Sequence, residues 1–130
     1  MSAEEIDPEL LELAGKVFDF ARRGDSARLA AYVDAGVPVD LTNDAGDTLL
    51  MLAAYHGHTE AVAALLERSA DPNRANDKGQ TPLAGAVFKG ETEIVRHLTA
   101  AGADPDAGTP SARDAAVVFG KNELLELFGA

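Results

Sequence analysis

His56 and His58 flank a single glycine, and two imidazoles so close together could offer a divalent metal two of the three or four protein ligands it needs. No further ligand accompanies them. The remaining histidine, His97, belongs to a different helix of the pattern set out below, and the absence of cysteine removes thiolate ligands and thiol nucleophiles together. The pair therefore reads as a helix junction, with no metal expected. Asp44, Asp47, Asp71 and Asp104 could suggest calcium loops or paired carboxylates, but none stands in a D-x-[DN]-x-[DN]-G run followed by a Glu. Their chemistry is that of turns, where Asp bonds its own backbone. The serines Ser2, Ser26, Ser69 and Ser111 fall at caps, turns or the terminus, with no nucleophile signature around them, and no Gly-rich phosphate loop occurs. The chain is expected not to be an enzyme and to need no cofactor.

The elements that carry these residues recur. Displacing the chain by 33 residues puts Asn43, Asp44, Gly46 and Thr48 on Asn76, Asp77, Gly79 and Thr81, then Gly57 on Gly90, Val62 on Val95 and Ala70-Asp71-Pro72 on Ala103-Asp104-Pro105. A fixed period of that length is the mark of a solenoid, whose units bury their apolar faces only against one another. Within a unit, Asn43 to Gly46 is a turn and Thr48 an N-cap, and Leu49, Leu50, Leu52 and Ala53 supply a short helix that ends at Gly57. His58-Thr59 opens a second helix, with Val62, Leu65 and Leu66 at helical spacing, and Ser69 to Asn73 closes it. The next unit has Thr81 as cap, Pro82 at the first helical position and Gly90 as stop.

The ends repeat more loosely. Gly24, Val17, Leu29 and Val33 match Gly57, Leu50, Val62 and Leu66, and the helix before Gly24 is lengthened by an Asp7-Pro8 start and a Leu10, Leu13, Val17, Phe20 stripe. At the other end the best displacement is 30, taking Ala86 to Ala116 and Gly90 to Gly120.

The run Asn76-Asp77-Lys78-Gly79-Gln80-Thr81-Pro82-Leu83, followed by Gly90, Glu93-Ile94-Val95 and Gly102-Ala103-Asp104-Pro105, resembles the ankyrin repeat. The resemblance implies an all-α solenoid of helix-turn-helix units with short β-turn fingers: one domain over residues 1–130, with units at about 10–42, 43–75, 76–108 and 109–130. Short inner helices would line a concave face and longer outer helices the back. The sequence departs from the family at the His of its Thr-Pro-Leu-His signature, replaced by Met51 and Ala84, so the polar bonds credited to that His cannot form. This weakens the expectation of rigid finger bases but leaves the apolar grammar intact.

The resemblance further implies a protein-protein interaction module that holds another protein on its concave face. The alternative is an inhibitor or chaperone-like companion of an enzyme. Carried over residue by residue, the contact positions are Asp44, Asp47, Asp77, Lys78 and Gln80 on the fingers, and Tyr55, His56, Phe88 and Lys89 on the inner helices. The same column gives Arg22 and Arg23 in the first unit, and Val118 and Phe119 in the last. Aromatic and basic side chains in register, without a carboxylate, suggest a face for an acidic or aromatic segment. Tyr55 and Phe88 could instead be packed between helices.

Bulk properties bound the partner. The 130 residues, 46% of them hydrophobic, suffice for one core, and the formal net charge of -11 opposes binding to nucleic acid or anionic lipid. No long apolar run and no basic-then-apolar leader is present, so the expectation is a cytoplasmic protein, monomeric when unbound.

Overall fold

The computed structural model describes residues 8–129. Eight helices follow in chain order: α1 (Pro8–Arg23), α2 (Ser26–Asp34), α3 (Leu49–Tyr55), α4 (Thr59–Glu67), α5 (Pro82–Lys89), α6 (Thr92–Ala100), α7 (Ala112–Val118) and α8 (Asn122–Phe128). Each odd-numbered helix packs on the even one after it. The odd helices also pack in series, α1 on α3, α3 on α5 and α5 on α7, and the even helices form a second row in the same order. The result is the expected all-α solenoid of helix pairs. Among the described residues there is no strand, only an isolated antiparallel bridge between Thr42 and Thr48 at the base of a finger. Of the expected start of α1, Asp7 lies outside the described residues, as do the side chains of Pro8 and Leu10.

Local chemistry starts and stops these helices where the pattern predicts. Thr48 Oγ1 accepts from Met51 N at 3.0 Å, and Thr81 Oγ1 from Ala84 N at 3.2 Å. Ser111 does the same for α7, accepting from Asp114 N at 3.1 Å. Each such bond satisfies a helix donor that has no partner within the helix. Between the helices of a pair, Gly24, Gly57, Gly90 and Gly120 adopt φ from +65° to +77°. A side chain there would crowd the following carbonyl, so glycine reverses the chain most cheaply.

Burial follows the repeat. Val17, Leu50 and Leu83 occupy one column of the inner row and Leu29, Val62 and Val95 one column of the outer row, all at most 1% exposed. Burying each such side chain favours folding by roughly 1.5–3 kcal/mol.

The fingers are held by contacts other than the signature His. Asn43 Oδ1 accepts from Ala45 N and Asp47 N, both at 3.0 Å, and Asn76 Oδ1 from Lys78 N and Gln80 N, also at 3.0 Å. Asn76 Nδ2 then donates to Asp47 Oδ1 on the preceding finger at 2.8 Å, and Asp77 N donates to Ala45 O at 3.0 Å. Loss of the His therefore does not leave the finger bases without polar support, which corrects that expectation. The asparagine at the start of each central finger supplies it.

Candidate functional site

The C-terminal ends of the inner helices bring Arg22 and Arg23 of α1, Tyr55 with His56, Phe88 with Lys89, and Val118 with Phe119 into one row. Tyr55 is 41% exposed, Phe88 63%, Val118 77% and Phe119 47%. The aromatic side chains are thus at the surface and not sunk between helices. They touch along the row. The rings of Phe88 and Phe119 meet edge to face with centroids 5.6 Å apart, and Lys89 Nζ sits 4.9 Å above the centre of the Tyr55 ring. Edge-to-face ring pairs and cations over ring faces are both attractive arrangements of aromatic side chains.

The basic end of the row is partly engaged. Arg22 pairs with Asp19 of its own helix at 3.2 Å, and the Arg23 guanidinium lies 5.9 Å from the Phe20 ring centre. His56 stacks on His58, centroids 6.4 Å apart, while His58 Nε2 donates to Arg22 O at 2.6 Å. The two imidazoles are neighbours, as their spacing suggests. No group of three or more His, Cys, Asp or Glu side chains converges for a metal among the described residues.

His56 carries less charge than its residue type implies. Loss of hydration, then the positive surroundings of His58, Arg22 and Lys89, hold its pKa below the ordinary histidine value. At neutral pH its ring is uncharged, so the positive charge of the row comes from Arg22, Arg23 and Lys89. In an NMR titration the His56 ring is expected to protonate below the usual value of about 6.5, and Lys89→Ala to move the midpoint upward. An unmoved midpoint would remove Lys89 from the causes.

On the fingers, Asp44, Asp77, Lys78 and Gln80 are exposed. Asp47 is half-buried and one of its carboxylate oxygens already accepts from Asn76, while Gln80 Oε1 accepts from the same amide at 2.8 Å. Asp47 therefore holds finger to finger, and Gln80 braces its own finger. Between fingers and row the surface sinks into a recess of about 350 Å3, lined by Met51, Tyr55, Gln80, Ala84, Gly85, Phe88, Pro110 and Ala115. A second groove of about 240 Å3 adjoins it through Met51, Tyr55 and Gln80 and is bounded by Asp47, Leu52 and Lys78.

Sequence reasoning missed Val117, which is 62% exposed although the matching Val87 is 1% exposed. The two valines hold the same position of the repeat at the 30-residue displacement. Val87 lies on α5, which packs on inner helices at both sides, whereas α7 has α5 as its inner neighbour and none beyond it among the described residues. The one available signal is Arg113, which stands where Leu83 stands in the preceding unit. Its guanidinium bonds Asp106 Oδ1 at 2.7 Å and Gly129 O at 2.6 Å, which puts a polar group on that end of the stack.

Among the described residues no helix is long and apolar enough to cross a membrane. A family model described as ankyrin repeats in three copies matches residues 18–109. A Pseudomonas aeruginosa protein named as an ankyrin repeat protein is 48% identical over 58 residues, which are 45% of this chain and 34% of the relative. The chain thus matches about a third of the length of that curated relative.

Proposed function

The chain belongs to the ankyrin-repeat family, and from that premise we propose that it is a non-catalytic module that binds another protein along its inner face. Ankyrin repeats are in general protein-interaction modules. The observation that carries the finer reading is the exposed row in which Tyr55, Phe88 and Val118 stand in register on successive helix pairs, with the Phe119 ring packed edge to face on Phe88. Aromatic residues and Arg are the types that dominate binding energy at protein interfaces, and exposed apolar side chains in contact with one another mark such surfaces. Arg22, Arg23, His56, Lys89 and Val118 complete the proposed contact set, with Asp44, Asp77, Lys78 and Gln80 at the finger tips.

The partner is a protein and neither nucleic acid nor membrane, because a net charge of -11 repels both phosphate backbones and anionic headgroups. Catalysis is not part of the reading: Ser111, the serine at the start of α7, uses its hydroxyl to cap that helix, and His56 packs against the rings of Tyr55 and His58.

The test is co-purification from the native host, with identification of whatever elutes stoichiometrically, then the affinity of that protein for the Tyr55→Ala/Phe88→Ala double variant. We expect an affinity loss of at least about tenfold, with the unfolding midpoint little changed because both side chains are exposed. The opposite result, lost stability with the affinity kept, would assign the two rings to the fold and remove the inner face from the binding reading.

A further inference from the structure

We propose that the recess between α3, α5 and α7 is an anchor pocket for one aromatic side chain of the partner, presented on a segment with carboxylates beside that ring. The inference rests on the reading that the inner face is the binding face, and adds to it the site and the chemistry of the occupant.

The floor of the recess is Met51, Ala84, Gly85 and Ala115, and its walls are the exposed rings of Tyr55 and Phe88. Its volume of about 350 Å3 lies at the small end of ligand pockets, which run from roughly 300 to 1,000 Å3. That suits a single planar side chain. Two adjacent residues of α5 in the floor are small: Gly85 lets Met51 Cε pack where a Cβ would stand only 3.3 Å away, and Ala84 occupies the position where the repeat signature has a histidine. The departure from the signature thus has a structural product, an apolar hollow where a polar ring would project. Tyr55 and Phe88 at its sides offer the edge-to-face contacts that aromatic rings prefer.

Charge on the rim selects what flanks the inserted ring. Lys89 Nζ lies over Tyr55 at one side, and Lys78 borders the adjoining groove at the other. Among the described residues neither lysine enters an ion pair. The acidic group facing the same groove is Asp47, whose Oδ1 accepts from Asn76 at 2.8 Å. Two unpaired cations beside an apolar hollow favour carboxylates on the occupant at contact range, against the long-range field of a chain of net charge -11, and set a local like-charge penalty against a basic one.

Three small probes that share an indole test this: N-acetyltryptophan, an anion, N-acetyltryptophanamide, neutral, and tryptamine, a cation. Titrated into the isotope-labelled protein, they are expected to shift the amide signals of Ala84, Gly85 and Phe88. Dissociation constants should be on the order of a millimolar, as suits fragments of this size, with the anion tightest and the cation weakest. In Lys78→Gln/Lys89→Gln the anion should lose its advantage of about threefold or more over the neutral probe, by removal of the rim charges. Ala84→Leu, which fills the hollow, should abolish binding of all three. If that variant does not fold, Phe88→Ala, which removes an exposed wall, should weaken all three instead. Equal or reversed affinities of the three probes, or shifts scattered over the surface, would overturn the proposal. With the protein partner in hand, Phe119→Ala lies on the row but outside the recess. Partner binding weakened by Phe119→Ala yet untouched by Ala84→Leu would overturn the pocket and leave the inner face standing, whereas binding indifferent to both would overturn the two together.

Discussion

Leu83→Ala is expected to destabilise the protein by roughly 2–5 kcal/mol, the range for truncating a fully buried leucine when the site cannot collapse around the gap. Leu83 is 1% exposed, and its helix α5 packs against α3, α6 and α7 at once. The stability of a solenoid is close to a sum of unit terms and nearest-neighbour interfaces, so a cavity in a central unit weakens the interfaces on both of its sides. Against a total of about 5–15 kcal/mol for an ordinary domain, the loss is a large fraction. Urea unfolding followed by helical circular dichroism is the measurement, and the midpoint should fall well below that of the wild type. A loss of under about 1 kcal/mol would mean that the neighbouring helices close over the gap, and that the stack is softer than its burial suggests.

Gly24→Ala should cost about 1.5–3.5 kcal/mol, and the comparison with Gly90→Ala shows why. Both glycines turn the chain between the helices of a pair, at the same φ of +73°. An alanine in that left-handed conformation costs roughly 1–2 kcal/mol at either position. Gly90 has nothing within 4 Å of an added Cβ, so its substitution should cost that amount alone. At Gly24 the same Cβ would collide with His58 Nδ1, closer than packed side chains tolerate. The ring must move, and with it goes the 2.6 Å bond from His58 to the Arg22 carbonyl, which joins α1 to the next pair and contributes about 0.5–1.5 kcal/mol. Unfolding curves of the two variants should therefore separate, with Gly24→Ala the less stable. In a His58→Ala background the difference should vanish, because the obstructing ring is gone. Equal losses in the wild-type background would show that the His58 contact adds nothing to the junction.

These two sites also show how function and fold share the junction. His58 fixes the turn below Arg22, and His56, stacked on His58, stands in the row proposed for binding. A substitution at His58 should disturb both readouts, whereas Phe119→Ala should move binding alone, since Phe119 is 47% exposed at the end of α7. Pairing the two measurements separates a contact from a support.

What the sequence determined by itself is what neighbours along the chain decide. Thr48 and Thr81 cap helices through bonds to residues three positions on, Pro82 fits a first helical turn, and the junction glycines relieve a local clash, so each was legible without the fold. The period of 33 residues then implied the stack, because units whose apolar faces recur can bury them only on one another. Tertiary structure decided everything that depends on which unit stands beside which. Val87 and Val117 look alike in the chain, yet one is covered by the next helix and the other is not. Asp47 reads as a free finger carboxylate until Asn76 of the next finger reaches it, and His56 reads as basic until His58, Arg22 and Lys89 gather around it. The recess is of the same kind: Met51, Ala84 and Ala115 come from three different units, and their small or flexible side chains enclose a volume only where the inner helices meet. Exposure, charge state and empty space belong to pairs of surfaces, and the pairing of surfaces is what the packed helices supply.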